Sequence, residues 1–155
     1  MGWNPVLADE DEPDYTSRGI QNFSEEVKQE QERILQYDAI AFAFPTYWWG
    51  MPAILKGYLD RVFNYKFAYG TQNLLKDQIK KLLWLTLMNS DATRVYDSHR
   101  FHDILDYVYN VGVGEFCQIK SSKVVKFVNI KAINDDNIES YFDKAYREGL
   151  NFNKQ

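Results

Sequence analysis

The sequence predicts an α/β sandwich built on a parallel sheet, and three observations carry that prediction. Ala39–Phe44 is an unbroken apolar run of strand length, as suits a strand covered on both faces. Lys81–Met88 is a second such run. Segments with apolar residues at helical spacing separate the runs, and alternating strands and helices imply right-handed crossovers between parallel strands.

In chain order, 1–22 holds prolines and acidic residues without periodicity and reads as an irregular lead-in. From Ser24 to Gln36 a helix is expected, with Ser24 as its cap, Glu25 and Glu26 in its first turn, and a narrow apolar face of Val27, Ile34 and Leu35. The strand Ala39–Phe44 runs straight into Pro45, Thr46, Tyr47, Trp48, Trp49 and Gly50, three large rings and a glycine at its carboxyl end, where open α/β sheets bind ligands. A helix begins near Pro52, with Ile54, Leu55, Tyr58, Leu59, Val62 and Phe63 on the apolar face and Lys56, Asp60 and Arg61 opposite. Leu74–Gln78 reads as a turn-like link. Beyond the second strand and the polar loop Asn89–Arg94, a helix runs from Tyr96 or Asp97 to Tyr109, broken by Val111-Gly112-Val113-Gly114. Phe116–Ile119 is expected as a short strand, Lys123–Lys131 as a strand nearer an edge, and Asp135–Leu150 as the last helix, with Ile138, Tyr141, Phe142 and Ala145 inward. Nothing before Ala39 can pair with the outer edge of the first strand.

The 155 residues suffice for one domain with a core, and a single domain over 1–155 is expected. A net charge of −4 with scattered lysines and arginines argues against a nucleic-acid partner. Pro45, Thr46, Gly50 and Pro52 interrupt the most hydrophobic run, which excludes it as a membrane span. No signal peptide is read at the N-terminus, and the single cysteine, Cys117, fits a reducing cytoplasm and reads as a small buried hydrophobe. No metal site is expected, since His99 and His102 lack a third ligand nearby.

The stretch FPTYWWGMPAILKGYLDRVF followed by FAYG resembles the NAD(P)H:quinone oxidoreductase and modulator of drug activity B family of flavodoxin-like flavoproteins. The resemblance implies a flavodoxin-like three-layer sandwich, truncated at its N-terminus, in which the family's strands 3, 4 and 5 are present and its first βαβ module is lacking. It also implies FAD or FMN as cofactor, NAD(P)H as co-substrate, a quinone-like acceptor, and a homodimer. Pro45, Thr46, Tyr47, Trp48, Trp49 and Gly50 are implied to contact the flavin ring. Thr86, Leu87, Asn89 and Ser90 match a second family loop without its glycines. Tyr96 and His102 keep the order and spacing of the tyrosine and histidine that settle charge during hydride transfer. His99 competes for the second of those roles. The alternatives are a regulatory subunit in which the pocket outlives turnover, and a remnant that cannot hold the flavin phosphate.

Overall fold

The computed structural model describes Val6, residues 23–89 and residues 98–154. Three strands form one parallel sheet in the order β1-β2-β3: Ala39–Pro45, Lys81–Leu87 and Ser121–Phe127. The register sets Ala39 beside Lys81 and Pro45 beside Leu87, and continues to Ser121 and Phe127 of β3. Side chains alternate between faces. One face presents Phe42, Phe44, Leu82, Trp84 and Thr86; the other presents Ala41, Ala43, Leu83, Leu85, Val125 and Phe127.

The first face carries most of the core. Against it pack α1 (Glu25–Ile34), α2 (Ala53–Val62), the short α3 (Leu74–Gln78) and α4 (Phe101–Asp106), which continues as a π-helix over Tyr107–Glu115. At its centre Trp84 is stacked between Phe42 and Tyr109, with ring centroids 5.0 Å away on either side. The second face is covered by α5 alone (Ile138–Lys154) among the described residues, through Leu83, Val125, Phe127, Tyr141 and Phe152.

Several expectations are corrected. The strand Ala39–Phe44 is not covered on both faces: among the described residues it is an edge strand, only its Phe44 is buried, and Ala41 and Ala43 are exposed. The doubly covered strand is β2, whose Leu82, Leu83, Trp84 and Thr86 are all buried. Leu74–Gln78 is a helix, capped by Asn73 Oδ1, which accepts from Lys76 N at 3.1 Å. Val111–Gly114 does not break its helix. The chain widens there into π-type turns, and Gly114 lies so close to β3 that a Cβ would meet Ser122 Cβ at 2.6 Å, so its glycine serves close packing. Phe116–Ile119 ends this helix, with Ile119 N donating to Gly114 O, instead of forming a strand. The last strand starts at Ser121 and stops at Phe127, ahead of a 3-10 turn over Ile130–Ala132. Phe142 and Ala145 are exposed, because only half of the second face has sheet residues opposite α5.

Polar ties fix α1 to α2. Arg61, expected to face water, is 3% exposed and pairs with Glu26 at 2.8 Å. Tyr58 donates to Glu30 Oε1 at 2.7 Å, and Glu30 also pairs with Arg33. The hydrogen bond from Arg33 holds the Glu30 carboxyl below its ordinary value of 4.5, and burial with that contact pushes the Tyr58 hydroxyl up. A depressed carboxyl stabilises the fold above its unfolded value and ceases to do so as pH falls through the folded one. Glu30→Gln is therefore expected to flatten the fall in stability below about pH 4.5, measured by urea unfolding from pH 3 to 7, and a variant curve parallel to wild type would contradict this assignment.

Candidate functional site

The site is assembled where β1 and β2 end. Thr46 N donates to Leu87 O at 2.8 Å, which locks the two carboxyl ends together immediately before the aromatic residues. Tyr47 and Gly50 then close on each other: Tyr47 N donates to Gly50 O and Gly50 N to Tyr47 O, both at 2.9 Å. The residues between them, Trp48 and Trp49, have φ of 49° and 58°. This is a two-residue hairpin of the primed kind, which normally takes Asn and Gly because both central residues must be left-handed. Here two tryptophans occupy it, at a strain of about 1–3 kcal/mol each.

The strained turn presents rings. Trp48 is 90% exposed and Tyr47 is 60% exposed, so neither is a core side chain. Trp49 is held from the other side by Phe101 at the start of α4, with ring centroids 4.6 Å apart and planes 19° apart. Trp48 meets Trp49 edge to face at 6.1 Å. The result is a rigid aromatic ledge with one open ring.

The same strand ends carry two threonine hydroxyls. Thr46 Oγ1 and Thr86 Oγ1 are buried without a hydrogen-bond partner, an uncommon state with a cost of about 1–3 kcal/mol each. Tyr109 OH is likewise buried without a partner, and burial pushes its hydroxyl up to about 12. An open ring surface, and buried hydroxyls left unspent at the same strand ends, fit the face and polar edge of a flat heteroaromatic ring such as a flavin. The amides of Thr46, Tyr47 and Gly50 are spent within the protein, whereas those of Trp48, Trp49 and Met51 donate to no backbone carbonyl among the described residues.

Pro45, Thr46, Tyr47, Trp48, Trp49, Gly50 and Thr86 thus come together. Leu87 does not join them: it is on the second face, against Ala43 and Phe127 in an apolar cleft, because alternation sends it opposite to Thr86. Asn89 is exposed two residues beyond β2. His102 is half-buried in the first turn of α4 beside Phe101, whereas His99 is exposed in the turn before it. Ser90 and Tyr96 lie outside the described residues. The residue that sequence reasoning missed is Phe101. Its helical spacing assigns it to the core, and nothing local announces a ring stacked on Trp49. Among the described residues no group of three or more His, Cys, Asp or Glu could hold a metal, and no helix is long and apolar enough to cross a membrane.

A family model described as a flavodoxin-like fold matches residues 1–149. The chain belongs to that family. Two curated relatives are similar to this chain. An uncharacterized NAD(P)H oxidoreductase, YcaK, of Escherichia coli is 36% identical over 109 residues, 70% of this chain and 54% of the relative. An uncharacterized NAD(P)H oxidoreductase of Haemophilus influenzae is 35% identical over 140 residues, 87% of this chain and 66% of the relative. The chain therefore spans less than two thirds of the length of either. Among solved structures, the NAD(P)H:quinone oxidoreductase from Methanothermobacter marburgensis aligns with 96% of this flavodoxin-like chain and 74% of its own, at a TM-score of 0.76 and 26% identity.

Proposed function

We propose that this chain carries the ring-binding part of a flavin-dependent NAD(P)H oxidoreductase that reduces quinones or similar acceptors. The observation that carries the reading is the strained hairpin, which holds Trp48 open to solvent at the strand ends where the Thr46 and Thr86 hydroxyls are buried without a partner. Strain of this kind persists where the surroundings enforce it and a site makes use of it. The relatives, named as NAD(P)H oxidoreductases, and the Methanothermobacter NAD(P)H:quinone oxidoreductase support the same class of reaction.

FMN or FAD, when bound, would take up a hydride from the nicotinamide and release it to the acceptor. The protein's part is positioning. Trp48, Trp49 and Tyr47 give the ring and a second flat substrate an apolar surface, while the Thr46 and Thr86 hydroxyls and the amides of Trp48, Trp49 and Met51 meet polar ring edges. His102, half-buried near Phe101, is the candidate to hold a proton while charge builds up nearby, with Tyr96 as its partner. A homodimer in the cytoplasm completes the reading.

The test is to incubate the purified protein with FMN or FAD, remove free flavin, and follow NADH and NADPH oxidation with and without a quinone. Retained flavin with quinone-dependent oxidation is expected. No flavin uptake and no quinone-dependent oxidation would sink the proposal. A regulatory subunit is the second reading, favoured by the edge of β1 that no strand pairs among the described residues, and flavin retention without turnover would select it.

A further inference from the structure

Four rings run in unbroken contact from the buried centre of the first face to half-buried Tyr58. Tyr109 stacks on Trp84 with centroids 5.0 Å apart, Trp84 stacks on Phe42 at 5.0 Å, and Phe42 meets Tyr58 edge to face at 6.0 Å. Core packing accounts for these contacts. It does not account for the polar ends of the row, whose differences decide how each ring behaves on losing an electron.

Trp84 is fully buried, and its Nε1 donates to Ser122 Oγ at 3.1 Å, which donates in turn to Asn110 Oδ1. Neither group is a base, so an indole radical cation formed there keeps its proton and remains a strong oxidant. A phenol gives up an electron readily only when its proton leaves at the same time. Tyr109, on one side of the indole, is 1% exposed and its OH is without a hydrogen-bond partner among the described residues, so that proton has nowhere to go. Tyr58, on the other side, donates to Glu30 Oε1 at 2.7 Å. The hydrogen bond from Arg33 favours the carboxylate form of Glu30, which is therefore ready to accept, and Glu30 is itself only half-buried and can pass a proton to water. Phe63, which touches both Phe42 and Tyr58, is harder to oxidise than tyrosine or tryptophan and diverts nothing.

We infer that this row is a discharge path for oxidising equivalents, in which Tyr58 reduces an oxidised Trp84 through the Phe42 contact and hands its phenol proton to Glu30. The oxidant is a one-electron acceptor that takes an electron from the indole. The Trp84 radical cation gains one electron and becomes indole again, and the Tyr58 O–H bond breaks. The products are a neutral tyrosyl radical at Tyr58 and a protonated Glu30 carboxyl. A hydrogen-atom donor in solution, such as ascorbate or a thiol, restores the phenol, and Glu30 releases its proton to water. The core indole is thereby repaired, and the radical lies where a reductant reaches it. This inference goes beyond the oxidoreductase reading and stands without it.

The test uses the full chain without flavin. Near-ultraviolet light ionises the indoles, dissolved oxygen takes the ejected electrons, radicals are read by electron paramagnetic resonance, and lasting oxidation products are located by peptide mass spectrometry. Tyr58→Phe keeps the ring and removes the phenol, whereas Glu30→Gln keeps the phenol and removes the base. Each is expected to raise oxidation products at Trp84 several-fold, to lower the tyrosyl signal, and to leave products at Trp48 and Trp49, outside the row, unchanged. The double variant should do no more than either alone, because both act on one step. Glu26→Gln loosens the other tie between α1 and α2, the pair with Arg61, and should leave Trp84 as in wild type. Unchanged Trp84 products in Tyr58→Phe would overturn the inference. So would an equal rise in Glu26→Gln, because looser packing would then be the cause.

Discussion

Trp84→Ala is expected to cost about 3–5 kcal/mol of folding stability, a large share of the roughly 5–15 kcal/mol that holds a domain together. The indole is fully buried between the rings of Phe42 and Tyr109, and its Nε1 donates to Ser122 Oγ at 3.1 Å. Ser122 in turn donates to Asn110 Oδ1 at 2.9 Å, so one side chain joins all three strands to the π-helix. Removing it opens a cavity at the centre of the first face and takes away the donor to Ser122 Oγ. Trp84→Phe keeps a ring in the stack and should cost less, about 1–3 kcal/mol, through the lost hydrogen bond and volume. Urea unfolding followed by circular dichroism measures both, and a loss below about 1 kcal/mol for the alanine variant would mean that this stack is not the centre of the core.

The hairpin variants should move stability and binding in opposite directions. Trp48 is 90% exposed, so replacing it removes little packing, while its φ of 49° is one that asparagine adopts readily. Trp48→Asn is therefore expected to stabilise the fold by about 1 kcal/mol and to weaken binding of a flat ring about tenfold or more. Trp49→Asn differs, because the stack on Phe101 is lost as the strain is relieved, and the two effects should nearly cancel in stability. A destabilised Trp48→Asn protein would show that the turn carries no strain worth relieving.

Much of this arrangement was legible in the residues. The two apolar runs locate β1 and β2. The first run misleads about coverage, since periodicity cannot distinguish a buried apolar strand from one bared on an alanine face. Arg61 is misjudged for a related reason: its helical position faces α1, and burial with Glu26 depends on a tertiary contact. The glycines of Val111–Gly114 read as a break because glycine weakens isolated helices, whereas close approach to Ser122 is a property of the packed sheet. At the site, residue types announced an aromatic ledge. Its left-handed turn and its support by Phe101 arise from backbone geometry and a contact 52 residues away, which no local pattern carries.

Lumiflavin, the ring of a flavin without ribityl chain or phosphate, gives the most direct test of the central claim that the hairpin is a ring platform. Its fluorescence is titrated with wild-type protein, Trp48→Asn and a Thr46→Val variant. Saturable quenching by wild type is expected, weakened about tenfold or more in Trp48→Asn and less in Thr46→Val. Absence of quenching, or quenching that neither substitution alters, would contradict the assignment of Thr46–Gly50 as the place where a flavin ring is held.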